Sequence, residues 1–287
     1  MKSDNFLTGI AGLGLMGGAI AHALRAKCGI PQENLFVCDT DSETLNAAQE
    51  QKLVSHIYNA DNAGDMLAKC DVIFLCLNPS SVIRFLEKWQ HNFKTGSLIT
   101  DIAGTKSSIA NAVQKFREDV DFIPGHPMAG AEKGGFINSH LCNFTGKNYI
   151  LTPLARNKPE NLEFLKKLIQ QMGFGKITEV TPEEHDRKIA FTSQLCHVIA
   201  SALIDCEADT KITRFGGGSF EDLTRIAMLN VPMWTEIFIE NREMLLERIN
   251  QFEKSLDEIK TLIGDAQITE LKKKLETVRD RRMEMNK

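Results

Sequence analysis

Apolar positions in the first half of the chain fall in short runs, separated by stretches where the apolar period lengthens to that of a helix. Runs at 7–11, 35–38, 72–77, 98–100 and 122–124 read as strands, and 15–27, 42–52, 80–91 and 106–117 read as amphipathic helices. A further strand at 148–152 leads through Pro153 to a helix over 159–172. Gly173 and Gly175 stop that helix, and 176–180 reads as a last strand. Short β-rich runs joined by helices imply right-handed crossovers and a mostly parallel sheet. After Thr181 and Pro182 the alternation ceases. Helices are expected over 182–209, 219–229, 232–263 and 266–284, with Ser219 and Asp265 as N-caps. The longest carries Trp234, Ile237, Phe238, Leu245, Ile249, Phe252, Leu256, Ile259 and Ile263 at three- and four-residue steps. Such a stripe serves as core or as a face for a second subunit, because a helical domain of this size has little interior of its own. The expected fold class is α/β: a Rossmann-type, mostly parallel sheet over residues 1–180, followed by an all-helical domain over 181–287.

The first strand runs into Gly12-Leu-Gly-Leu-Met-Gly17 and then a helix. This is G-x-G-x-x-G at a strand-to-helix turn. The first glycine makes the turn, the second admits a pyrophosphate, and the third lets helix and strand pack closely. Gly12, Gly14 and Gly17, with Leu15 and Met16 between them, are therefore expected to hold a dinucleotide on the free N–H groups of the helix start. The second strand ends in Asp39, about twenty residues on, where an acid meets the ribose 2′-hydroxyl. No basic residue follows it and Asp41 adds a second acid, which favours NAD over NADP. Asn78 and Asp101, at later strand ends, are expected to line the same cofactor.

Composition narrows the class further. The 287-residue chain has a net charge of −4, and its basic residues cluster only near the C-terminus, interleaved with acids, so a nucleic-acid partner is not expected. No apolar run is long enough to span a membrane. The seven cysteines form no C-x-x-C pair and several sit in apolar runs, as reduced thiols of a cytoplasmic protein would. No histidine spacing suggests a metal site.

Candidate chemistry lies in Gly125-His-Pro-Met-Ala-Gly-Ala-Glu-Lys-Gly-Gly135. His126 follows an apolar strand and precedes Pro127, which keeps it extended at the strand end. There it is either a structural histidine or a proton acceptor working near neutral pH. His197 is either a core histidine or a donor lining a cleft. Arg225 sits one turn after Glu221 and Asp222, so it forms either a local ion pair or a carboxylate clamp.

These segments together resemble the prephenate dehydrogenases of the TyrA family. The resemblance rests on 12–18, on Asp101 to Lys106, on Gly125-His-Pro-Met-Ala-Gly-Ala-Glu-Lys-Gly134, on Gly216-Gly-Gly-Ser-Phe-Glu-Asp-Leu-Thr-Arg-Ile-Ala227 and on Met233-Trp234. It implies NAD-dependent oxidative decarboxylation of prephenate to 4-hydroxyphenylpyruvate, in tyrosine biosynthesis. It assigns His126 as the catalytic base, Arg225 to a substrate carboxylate, Glu132 and Asp222 to the pocket mouth, and His197 to the pocket wall. It also implies a homodimer through the helical domain. One position departs from the family pattern: Gly104 stands where many members carry a serine that orients histidine and substrate, with Thr105 beside it. Two competing readings remain, an arogenate (cyclohexadienyl) dehydrogenase and a non-catalytic NAD-binding dimer. A β-hydroxyacid or imine reductase on the same plan would need a second-domain lysine, for which only Lys188 is placed.

Overall fold

The computed structural model describes residues 6–131 and 133–285. The first half alternates strand and helix: β1 (Thr8–Ala11), α1 (Leu15–Ala26), β2 (Leu35–Asp39), α2 (Ser42–Glu50), β3 (His56–Asn59), α3 (Ala63–Leu67), β4 (Val72–Leu75), α4 (Pro79–Trp89), β5 (Leu98–Asp101), α5 (Ser107–Val113) and β6 (Asp121–Phe122). These six strands form one parallel sheet in the order β3-β2-β1-β4-β5-β6. Successive residues of the inner strands serve opposite faces. Ile10, Val37 and Phe74 pack with Ile20 and Leu24 of α1 on one side. Ala11, Phe36, Ile73 and Leu75 pack with Met66, Val82, Leu86 and Ile109 on the other. Burial on both faces explains why these strands read as unbroken apolar runs.

A second, three-stranded sheet follows. β7 (Gly125–Pro127) pairs antiparallel with β8 (Asn148–Leu151), which pairs parallel with β9 (Lys176–Glu179), and α6 (Pro159–Gln171) connects the last two. Two strands lie outside the apolar runs of the sequence. β3 is a half-exposed edge with a single aliphatic residue, Ile57. β7 is three residues long and contains Pro127, which a sheet tolerates at its edge.

The helical part differs from expectation at three places. The first helix is interrupted: α7 (Pro182–Ile189) passes through a π-turn at Ala190–Gln194 into α8 (Leu195–Asp205). The stretch 232–263 is two helices, α10 (Val231–Glu240) and α11 (Arg242–Gly264), because Asn241 leaves helical geometry at φ −110°, ψ 25°. The caps also move, since Gly217 precedes α9 (Gly218–Thr224) and Gln267 precedes α12 (Ile268–Glu284). By packing, the chain divides into Met1–Asn241 and Arg242–Lys287. The second unit is the α11–α12 pair, tied by Lys274 to Glu258 at 2.6 Å, with Leu256, Ile263, Leu275 and Val278 exposed.

Cys38 and Cys70 are buried, and burial pushes both thiols up to about 12. Cys196 and Cys206 are exposed instead. Among the described residues no helix is long and apolar enough to cross a membrane.

Candidate active site

The strand order reverses between β1 and β4, and ligands of such sheets lie beyond the carboxyl ends of the strands at that point. The glycine turn sits there. Gly12 has φ +89° and donates its N–H to Cys38 at 2.9 Å, and a Cβ on it would meet the Cys76 carbonyl oxygen. A Cβ on Gly17 would fall on the carbonyl oxygen of Gly12. Around Gly14, by contrast, nothing among the described residues lies within 4 Å of the Cβ position. The turn is closed at its first and third glycines and open at its second. Gly14 caps α1 without a side chain, so the N–H groups of its first turn, where Leu15 and Met16 lie, are not taken by a capping group. Asp39 is locked against this turn: its Oδ2 accepts from Leu13 N at 2.5 Å and its Oδ1 from Asp41 N at 2.9 Å. Asn78 is exposed at the start of α4, and its side chain makes no capping bond. The neighbouring Ser80 N–H is capped from the helical region, by Glu236 of α10 at 2.7 Å.

Asp101 has another fate. It is fully buried, and its carboxylate pairs with the equally buried Lys106 while accepting from Ala103 N at 2.9 Å and Gly125 N at 3.2 Å. Its oxygens are spent on the 101–106 loop and on the backbone of β7, so it braces the strand that carries His126. Burial pushes the Lys106 amine down, and the Asp101 charge opposes that shift.

His126 is half-buried on β7. Its Nδ1 lies 2.9 Å from Nε2 of His185, whose Nδ1 lies 2.7 Å from Oδ1 of Asp186. Asp186 is anchored in turn, accepting from Lys106 N and Ser107 N, each at 2.8 Å. Burial, then the neighbouring His185 and Lys106, hold His126 well below the usual histidine range, so it is neutral at pH 7. Burial likewise lowers His185, against the pull of Asp186. The hydrogen bonds from His185 and Ser107 overcome the upward push of burial on Asp186 and keep its carboxyl below its usual value. Neither His185 nor Asp186 stands out in the sequence, because Glu183-Glu-His-Asp-Arg-Lys188 has the composition of a solvated first helical turn. In the fold, both are buried.

A second group gathers on α8 and α10. His197 Nδ1 donates to the Ser193 carbonyl at 2.9 Å, which leaves its Nε2 as an acceptor, and its ring stacks on Trp234 with centroids 3.6 Å apart. Burial lowers its pKa against the bond to Ser193, and the Arg225 charge adds to the lowering. Arg225 and Asp222 are exposed one turn apart, and Glu132 lies outside the described residues. Gly104 faces α10: a Cβ there would meet Cδ1 of Ile237 at 3.2 Å. The Thr105 hydroxyl is buried, with no hydrogen-bond partner among the described residues.

Residues 20–178 match the family model described as prephenate dehydrogenase, nucleotide-binding domain, and residues 181–277 match the one described as prephenate dehydrogenase, dimerization domain. The chain belongs to the prephenate dehydrogenase family. It is 32% identical to a prephenate dehydrogenase of Lactococcus lactis over 258 residues, covering 87% of this chain and 69% of that one. It is 29% identical to a prephenate dehydrogenase of Bacillus subtilis over 280 residues, covering 95% of this chain and 74% of the other. Among solved structures, it is similar to a prephenate dehydrogenase from A. aeolicus in complex with hydroxyphenyl propionate and NAD+ (TM-score 0.87, 27% identity, 99% of this chain and 100% of that one). As a prephenate dehydrogenase family member the chain is an oxidoreductase. The family's nucleotide-binding region holds His126, while its dimerization region holds His185, Asp186, His197 and Arg225.

Proposed function

We propose that this chain is an NAD-dependent prephenate dehydrogenase with His126 as its catalytic base. The observation that carries the reading is the placement of His126 on β7, with Nδ1 2.9 Å from His185 and Nε2 left for a substrate hydroxyl; burial, which lowers its pKa, keeps it neutral. The turn at Gly12, Gly14 and Gly17 fits a dinucleotide, since Gly14 is open where a pyrophosphate would approach the uncapped start of α1. Leu15, Met16 and Asn78 would line it, and Asp39 would meet its ribose. NAD, when bound, supplies the acceptor for the hydride leaving C4 of prephenate. His126 takes the proton of the 4-hydroxyl onto Nε2 and the C4–O bond becomes a carbonyl; when the C1–carboxylate bond breaks and CO2 leaves, its electron pair makes the ring aromatic and the C4 oxygen takes the proton back from His126. A positioned base of this kind contributes a factor on the order of 10²–10⁴ in rate. Arg225 holds a substrate carboxylate beside His197, and Asp222 and Glu132 close the mouth.

The helical region 181–287 serves as a dimer surface in this reading. Leu256, Ile263, Leu275 and Val278 are more than 45% exposed in the single chain, as a face awaiting a second copy would be. The free cysteines suit a cytoplasmic enzyme. The test is initial-rate NADH formation with prephenate and with arogenate, each with NAD and NADP. Turnover of prephenate with NAD is expected. Turnover of arogenate alone would reassign the substrate, and none with either, despite NAD binding, would leave a binding protein.

A further inference from the structure

Beyond the groups assigned to cofactor and substrate, the most fully built polar feature of the chain is the line from His126 through His185 to Asp186. We propose that His185 and Asp186 are positioning residues that set the tautomer and the orientation of His126. The inference deepens the reading of His126 as the base and rests on it.

The argument starts at the far end. Both oxygens of Asp186 accept backbone N–H bonds from the start of α5, at 2.8 Å each, so the carboxylate cannot rotate away. An ionised carboxylate only accepts, and the hydrogen in the 2.7 Å contact with His185 therefore belongs to His185 Nδ1. A neutral imidazole carrying its hydrogen on Nδ1 presents a lone pair at Nε2. In the 2.9 Å contact with His126 the donor is then His126 Nδ1. By the same rule, the lone pair of His126 lies on Nε2. Each step leaves one tautomer, and the last places the basic atom on the ring edge away from the relay.

When the substrate O–H bond breaks and Nε2–H forms, His126 becomes an imidazolium whose Nδ1–H still points at His185. No proton passes down the line, and the negative charge of Asp186 stands one imidazole behind. This is the arrangement by which an orienting group holds a catalytic histidine in its working tautomer. His185 is 1% exposed and so has no other route to the substrate.

Two variants and one spectrum test this. His185→Leu removes the acceptor for His126 Nδ1–H; kcat should fall about 10²-fold, with KM for prephenate unchanged within about threefold. His185→Gln keeps an acceptor oxygen and should recover kcat to within about tenfold of wild type. Ring ¹⁵N shifts should show the Nδ1–H tautomer at His126 in the wild-type protein and in H185Q, and its loss in H185L. An H185L enzyme with wild-type kcat, or an Nε2–H tautomer at His126 in the wild-type protein, overturns the proposal. The spectrum needs no turnover and no variant to fold. A wild-type protein inactive on prephenate would defeat the functional reading, while the tautomer would still decide the relay.

Discussion

The side-chain amide of Asn241 donates to the carbonyl oxygen of Asp186 at 2.9 Å and to Oε1 of Gln194 at 2.8 Å. The end of α10 is thereby fastened to the turn that carries His185 and to the π-turn after it. Asn241→Ala would leave two buried oxygens without these bonds, and each such loss costs about 1–3 kcal/mol. Urea melts should show a lower midpoint with an unchanged m-value, and kcat should fall because Asp186 loosens.

His126→Asn removes the base and leaves the glycine turn intact. Its kcat should drop by a factor of about 10²–10⁴. The Kd for NAD, read by fluorescence titration, should stay at the wild-type value. Near-normal turnover in this variant would end the assignment of His126.

Acid should cost activity later than an ordinary histidine allows. Burial, His185 and Lys106 keep His126 neutral through the usual histidine range, and protonation removes the Nε2 lone pair. The acid limb of kcat/KM is therefore expected well below pH 6.5, the reference value. Stability follows the same groups. Folded His126 and His185 both titrate below the unfolded value, so in acid the unfolded chain binds more protons and stability falls as pH drops through that window. Thermal melts between about pH 7.5 and about pH 5.5 should show Tm declining, less steeply in His185→Gln.

The ion pair of Lys106 with Asp101 has no solvent access at either residue. Lys106→Met strands a buried carboxylate and should cost about 3–5 kcal/mol. Adding Asp101→Asn removes the unpaired charge and keeps an acceptor for one of the two backbone donors, Ala103 or Gly125, so the double variant should be more stable than K106M alone. A double-mutant cycle by denaturant titration reads the coupling directly.

Two alanine substitutions in the glycine turn should separate binding from folding. Gly14→Ala meets no atom of the described residues within 4 Å, so Tm should hold while the new methyl group weakens NAD binding. Gly17→Ala drives its methyl group onto the Gly12 carbonyl oxygen, and Tm should fall together with binding.

The alternation of short apolar runs with helical periods was enough to draw the nucleotide-binding half, because parallel strands buried on both faces leave an unambiguous trace. The glycine spacing located the turn at Gly12 for a similarly local reason: the steric demands of a strand-to-helix turn act within a few residues. His126 was legible as a strand-end histidine in a glycine-rich segment. Its partners were not. His185 and Asp186 lie 59 residues or more along the chain from His126, within a run of charged residues, and nothing local tells a buried histidine from a solvated one. Asp101 looked like a cofactor ligand at a strand end until the fold brought Lys106 and Gly125 to its oxygens. Asn241 interrupted a stripe whose helical periodicity ran straight through it. Local sterics and hydrophobic period belong to the sequence by itself. Which polar groups meet in the interior depends on how distant elements pack, and only the tertiary structure decides that.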